Sequence, residues 1–218
     1  MQRVSAHTAK EWWKMIEFFE ETHTYLVDGR EVPSVSDILA YITASHYGSI
    51  NEAVLKQAAQ RGTDVHRACQ EIDYGCEAEV DPQIAPYVRA YCDFLRDYAP
   101  EWGEIEQIHY DEDEDYCGTV DRMGFIDGKP VIIDIKTTGS PTKVQYLSYC
   151  CQLWAYSLFY FDKYKHDAEL YILFLKKDGK YRLVNVNEYA QKHGFQPNYI
   201  WTLCNTLYTE LKGVLNGK

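Results

Sequence analysis

No stretch of this chain strings together the roughly 18 to 20 apolar residues that a membrane span requires. The N-terminal run Met1-Gln2-Arg3-Val4-Ser5-Ala6-His7 has no apolar core either, so no secretory signal is expected and a cytoplasmic protein is. Seven cysteines, at 69, 76, 92, 117, 150, 151 and 204, include no C-x-x-C pair and are odd in number. A disulfide framework and a structural zinc site are both poorly supported, and reduced, mostly buried thiols are expected. Positive charge is scarce. Lys and Arg total 22 against 33 Asp and Glu, for a net charge of −11. Proteins that bind a polyanion through broad electrostatics usually carry a basic surface, and this charge balance argues against one here. An acidic chain that handles one must concentrate its positive potential locally, or offset its carboxylates with metal ions. No internal repeat, low-complexity tract or linker interrupts the 218 residues, so one domain with a sizeable core is expected.

Apolar residues make up 46% and charged residues 25% of the chain, the usage of an ordinary globular protein. Thr8 and Glu11 have capping-box spacing and predict a short helix carrying Trp12 and Trp13. Ile16 to Val27 with Asp28-Gly29 reads as a hairpin. Pro33-Ser34-Val35-Ser36-Asp37 then caps a helix through Ile38, Leu39 and Ile42. A longer helix is predicted over 51–73, with Leu55, Ala58, Gly62, Val65, Cys69 and Ile72 as its apolar stripe and His66 at the edge. A further helix over 82–98 follows. Segments 104–110, 117–126 and 130–137 read as an antiparallel meander, joined by the acidic cluster Asp111 to Asp115 and by Asp127-Gly128. The acidic cluster is expected to be a solvated tip. A helix over 142–160 and a strand over 169–176 imply a parallel pairing, hence a mixed sheet. A weaker strand over 181–186 and a helix over 198–215 complete the chain.

Val131-Ile132-Ile133-Asp134-Ile135-Lys136 is a strand buried on both faces that ends in charge. Alternation places Ile132, Asp134 and Lys136 on one side. A buried carboxylate and ammonium are costly unless paired or bound to a metal. D-x-K alone says little. About one copy is expected by chance at average composition, and the copies at 127–129 and 178–180 are Asp-Gly turns. Only the copy at 134–136 ends an apolar strand. Gly118-Thr119-Val120-Asp121 lies on the preceding strand, where the tight turn sets Asp121 opposite Asp134. Two such carboxylates could share Mg²⁺ or Mn²⁺, and the alternative is that Asp121 pairs with Arg122 or Lys136. Arg61-Gly62-Thr63-Asp64-Val65-His66 puts Gly62 and His66 on one helical face. On the helix after the D-x-K strand, Val144, Leu147, Cys151, Trp154 and Leu158 form the expected core stripe. Gln145, Tyr149, Gln152 and Tyr156 form a second, polar-aromatic stripe suited to hydrogen bonds with phosphates or bases.

A histidine on an upstream helix, G-x-x-D, D-x-K after an apolar strand and Q-x-x-x-Y on the next helix together resemble the PD-(D/E)XK nuclease superfamily, closest to its RecB-type branch. His23-Thr24-Tyr25, Asp28-Gly29 and Pro33-Ser34-Val35-Ser36 are also similar to phage and prophage exonucleases of that branch. The resemblance covers roughly residues 16 to 176. It implies a restriction-endonuclease-like core at about 51–186, a mixed sheet flanked by helices, with a helical N-terminal elaboration over 1–50 and a C-terminal helix over 187–218. It implies that His66, Asp121, Asp134 and the backbone carbonyl of Ile135 bind Mg²⁺ or Mn²⁺. Asp121, Asp134 and Lys136 would be catalytic, with Lys136 orienting or activating water and neutralising the scissile phosphate. Gln152, Tyr156 and Thr137 would contact DNA or brace the site. Glu106 is a weaker supporting carboxylate, and Gln145 with Tyr149 is a rival to the Gln152–Tyr156 pair.

The implied activity is metal-dependent DNA exonuclease chemistry on linear ends, in phage-type recombination or repair, within a bacterial or phage-infected cell. A single-strand annealing protein as partner and a homo-oligomer are both compatible with the resemblance. An iron–sulfur cluster of the kind some members hold needs three cysteines after the core. Only Cys204 lies beyond the Gln152 helix, so none is expected. With no G-x-x-x-x-G-K-[ST] motif, any unwinding is expected to come from another chain, or the substrate to be an end. Two readings compete: a non-catalytic DNA-end-binding scaffold, and an unrelated enzyme using Asp121 and Asp134 as an acid/base pair.

Overall fold

Strand-forming β-branched and aromatic residues dominate the first part of the chain, and in the computed structural model they pair into a small sheet. The structure describes residues 4–6, 14–48 and 51–215. Strands β1 (Val4–Ala6), β2 (Ile16–Phe19), β3 (Thr24–Val27) and β4 (Arg30–Val32) form an antiparallel meander in that order. The β3–β4 turn places both Asp28 (φ 52°) and Gly29 (φ 78°) in the left-handed region, as the two-residue hairpin turn demands. Helix α1 (Val35–Tyr47) starts at Ser34, whose hydroxyl and backbone exchange hydrogen bonds with Asp37 in a capping box. Among the described residues the N-terminal elaboration is a four-stranded sheet with one helix, rather than the mainly helical segment expected from the sequence. Alternating Ile16, Tyr25, Val27 and Val32 bury one sheet face and favour strand over helix. The helix predicted around Trp12 and Trp13 lies outside the described residues.

Helices α2 (Glu52–Asp73) and α3 (Ala85–Tyr98) precede the main sheet. That sheet contains β5 (Glu101–Asp111), β6 (Tyr116–Ile126), β7 (Lys129–Lys136), β8 (Glu169–Leu175) and β9 (Tyr181–Asn185), in that order. All neighbours are antiparallel except β7 and β8, which run parallel because α4 (Lys143–Tyr164) crosses between them. Helices α5 (Val186–His193) and α6 (Pro197–Leu215) end the chain. The sequence reading missed α5. It is capped by Asn185 at its start and Gly194 (φ 72°) at its end.

Alternation along β7 divides the core in two. Val131, Ile133 and Ile135 pack with Val65, Cys69, Tyr91 and Phe94 of α2 and α3. Ile132 packs with residues of α1, α4 and α6 on the other face. Helix α4 buries Tyr146, Cys150, Cys151, Leu153, Tyr156 and Phe159. The expected stripe of Val144, Leu147, Trp154 and Leu158 is only half-buried. The helix is rotated from that expectation because its tyrosines join the core. Gly118 explains part of the packing: a Cβ there would stand 2.7 Å from the Tyr156 ring. In the acidic cluster, Glu112, Asp113 and Glu114 are exposed, but Asp111 is buried and accepts from the backbone N–H groups of Asp113 and Glu114. No described helix is long and apolar enough to cross a membrane.

Candidate metal centre

The β6–β7 ladder runs up to Arg122↔Ile133, and its next step brings Asp121 opposite Asp134. On the other side of β6, the partner position of Asp121 on β5 is Glu106, between the pairs Ile105↔Arg122 and Gln107↔Val120. Glu106 has φ 48°, a left-handed backbone that is rare for a residue with a Cβ. Its effect is directional. Glu104 reaches α4, where Lys163 and Tyr164 donate to it, whereas Glu106 reaches His66 of α2.

His66 lies over this point. Its Nδ1 is 3.3 Å from Glu106 Oε1 and 3.7 Å from Asp121 Oδ1, and its Nε2 is 3.0 Å from the Ile135 carbonyl oxygen. One ligand atom each from His66, Glu106 and Asp121 fall within 4.8 Å of one another. The Asp121 carboxylate also accepts from the Ile135 N–H at 2.6 Å. Asp134 lies outside this group of three. It faces Lys136, whose ammonium is 2.9 Å from one carboxylate oxygen and 2.8 Å from the other. The expected set of His66, Asp121, Asp134 and the Ile135 carbonyl is thus brought together except for Asp134, and Glu106 stands in its place. Lys136, two residues on along the same face, hydrogen-bonds one Asp134 oxygen, and the other oxygen is buried without a hydrogen-bond partner among the described residues.

Lys136 also donates to Gln152 Oε1 at 3.2 Å, and Gln152 Nε2 donates to the Tyr156 hydroxyl at 2.8 Å. Tyr156 is buried, so this pair braces Lys136 from behind. Tyr149 supplies its ring face to Lys136, 4.8 Å from ammonium to centroid. Gln145 is elsewhere: it caps α4 by accepting from the Thr142 N–H at 2.9 Å. Thr137 follows β7, half-buried, with no side-chain hydrogen bond among the described residues.

The residue that sequence reasoning passed over is Arg122, considered there only as a partner for Asp121. It is fully buried. Its Nε donates to Asp73 at 2.6 Å and its Nη1 to Glu106 at 2.9 Å and to the Asp121 backbone carbonyl at 2.6 Å. Asp73 accepts in addition from Tyr91 and Trp102. The signal was available. Alternation along β6 puts Arg122 opposite in direction to Asp121, into an apolar helix layer where a guanidinium must have partners.

These charges act on one another. Burial pushes Asp121 up to about 7, with the Glu106 and Asp134 charges adding and His66 opposing. Burial works against charge on His66, but Asp121 and Glu106 outweigh it and raise the imidazole to about 9. Burial also opposes charge on Glu106, and its bonds to His66 and Arg122 win, holding it below its ordinary value. Lys136 is raised in the same way, with burial overcome by Asp134 and Asp121. The donor set fits a divalent cation: two carboxylates, an imidazole and a carbonyl oxygen are hard or borderline ligands.

No known family profile matches the chain, and no curated protein does. Among solved structures, the chain is similar to the one titled "Crystal structure of SSO0001". Identity is 16%, over 69% of this chain and 76% of that one, with a TM-score of 0.26. A likeness at that level carries no argument about fold or chemistry.

Proposed function

We propose that this chain is a metal-dependent deoxyribonuclease of the PD-(D/E)XK type, RecB-like, with a restriction-endonuclease-like core, acting as an exonuclease on DNA ends. The observation that carries the reading is the convergence of His66, Glu106, Asp121 and the Ile135 carbonyl beside the Lys136–Asp134 pair. A Mg²⁺ or Mn²⁺ ion bound by these groups supplies Lewis-acid polarisation of phosphate oxygens and lowers the pKa of water. The protein groups do the rest. His66 and Asp121 give up protons to become ligands. Lys136, kept charged by Asp134 and Asp121, serves as a hydrogen-bond donor and cation toward charge developing on the phosphate rather than as a base. Gln152, fixed by Tyr156, limits the rotamers of Lys136 and so preorganises that charge.

The deciding experiment incubates the protein with end-labelled linear and closed circular DNA in Mg²⁺, Mn²⁺ or EDTA. Cation-dependent loss of the linear substrate with the circle spared supports the reading. Intact linear DNA under every condition refutes it.

A further inference from the structure

The geometry points to a second phosphate-binding position, built on Arg182, for the DNA strand whose scissile phosphate lies at Lys136; this rests on the nuclease reading above. Lys136 on β7 is the register partner of Phe174 on β8, and Phe174 is the partner of Arg182 on β9. Register partners share a face, so the two cations stand in one row across the sheet with an aromatic ring between them. Neighbouring strands are about 4.8 Å apart, so the two backbones are separated by roughly 10 Å. That separation spans more than one phosphate step along a strand, so the two cations would meet non-adjacent phosphates.

Arg182 is unusual for an exposed arginine, because it is held. Its guanidinium lies over the buried Phe174 ring at 4.9 Å and over the Tyr146 ring at 5.6 Å, and its Nη2 donates to the Tyr146 hydroxyl. Tyr146 is itself buried and stacked on Tyr189. Among the described residues no carboxylate pairs with Arg182. A guanidinium has five N–H donors, and one bond to a hydroxyl leaves most of them for an anion. Restricting the side chain in advance removes much of the entropy cost of binding.

The surroundings agree in sign. Lys176, Lys177 and Lys180 stand on the β8–β9 turn beside Arg182, against a single acid, Asp178. The Asp178 side chain accepts from the Lys180 backbone N–H and shapes the turn. In a chain of net charge −11, four cations within seven residues form the local concentration of positive potential that a strand of phosphates requires.

The test measures binding of a fluorescein-labelled single-stranded oligodeoxynucleotide in EDTA by anisotropy, over a series of salt concentrations. Arg182→Ala is expected to weaken binding about tenfold, the size of one lost charge-assisted hydrogen bond. It should also flatten the slope of log K against log salt by about 0.7, the value for one phosphate contact on a single strand. Arg182→Lys keeps the slope. Tyr146→Phe, which removes the tether but not the charge, keeps the slope and lowers affinity a few-fold. Unchanged affinity and slope in Arg182→Ala, or a wild type that binds no strand, overturns the proposal. Cleavage assays on the same preparations separate it from the nuclease reading. Arg182-dependent binding without Mn²⁺-dependent cleavage keeps the phosphate position and refutes hydrolysis. Cleavage with an unaltered KM in Arg182→Ala keeps hydrolysis and refutes the phosphate position.

Discussion

One nitrogen of Arg122 serves two residues of the candidate site: Nη1 donates to the Glu106 carboxylate at 2.9 Å and to the backbone carbonyl of Asp121 at 2.6 Å. The guanidinium thereby holds the left-handed Glu106 and the Asp121 segment of β6 in one arrangement, and Asp73 anchors it from α2.

Removing that cation leaves Asp73 buried without a counter-ion, held only by Tyr91 and Trp102. Arg122→Met should lower unfolding free energy by about 3 to 5 kcal/mol, the cost of breaking a buried ion pair. The double change Arg122→Met with Asp73→Asn should cost less than the single one, since no orphan charge remains. Chemical denaturation of both variants checks this. A double variant less stable than Arg122→Met would argue against the pairing as the main term.

Glu106, not Asp134, groups with His66 and Asp121, and calorimetry with Mn²⁺ tests which of the two carboxylates binds a cation. Glu106→Gln should weaken cation binding at least tenfold, the lower range for loss of a metal-centre partner. Asp134→Asn should leave affinity within a few-fold, because Asp134 is engaged by Lys136. The reverse order of effects would restore Asp134 as the ligand.

Turnover should respond at Lys136. Lys136→Ala is expected to lower cleavage by about 10² to 10³, the range for losing one preorganised charge-stabilising donor, while the circular dichroism spectrum and Mn²⁺ affinity persist. Near wild-type cleavage would remove Lys136 from the chemistry.

The protonation of the centre predicts how stability varies with pH. Without a cation, the folded state binds more protons than the unfolded chain, for Asp121 between its ordinary 3.8 and about 7, and for His66 between 6.5 and about 9. Stability should therefore fall as pH rises through both windows. The His66 contribution is whole below 6.5 and lost above about 9. A bound cation needs the neutral imidazole and the ionised carboxylate, so the rise in Tm with Mn²⁺ should be larger near the top of this range than near pH 6.5. Scanning calorimetry with and without Mn²⁺, with His66→Ala as the flattened control, measures it. Equal increments at both ends would contradict the assignment.

How much of this was legible depends on whether the signal was local. Asp127 and Gly128 both have positive φ, and the β6–β7 register, which runs to Arg122↔Ile133 beside Asp121 and Asp134, follows from that turn. The caps at Ser34, Asn51 and Thr142 are likewise local, and each opens the expected helix. The buried face of α4 was not legible. Tyr146 and Tyr156 read as a polar stripe, yet a phenol buries its ring wherever its hydroxyl finds a partner, as theirs do in Arg182 and Gln152. Glu106 was only partly legible. Strand alternation assigns it to the same side as Glu104, and nothing in the sequence announces the positive φ that turns it to His66.

The His66 contacts span 40 residues to Glu106 and 69 to Ile135. The β5–β6–β7 meander is assembled from near neighbours, but the imidazole arrives only when α2 docks across it. Loop closure of that length is an entropic barrier to be crossed before the contact gives anything back. A polypeptide emerging from the ribosome would therefore not bring these side chains together until synthesis has passed β7. The centre would then report that the two halves of the core have found each other.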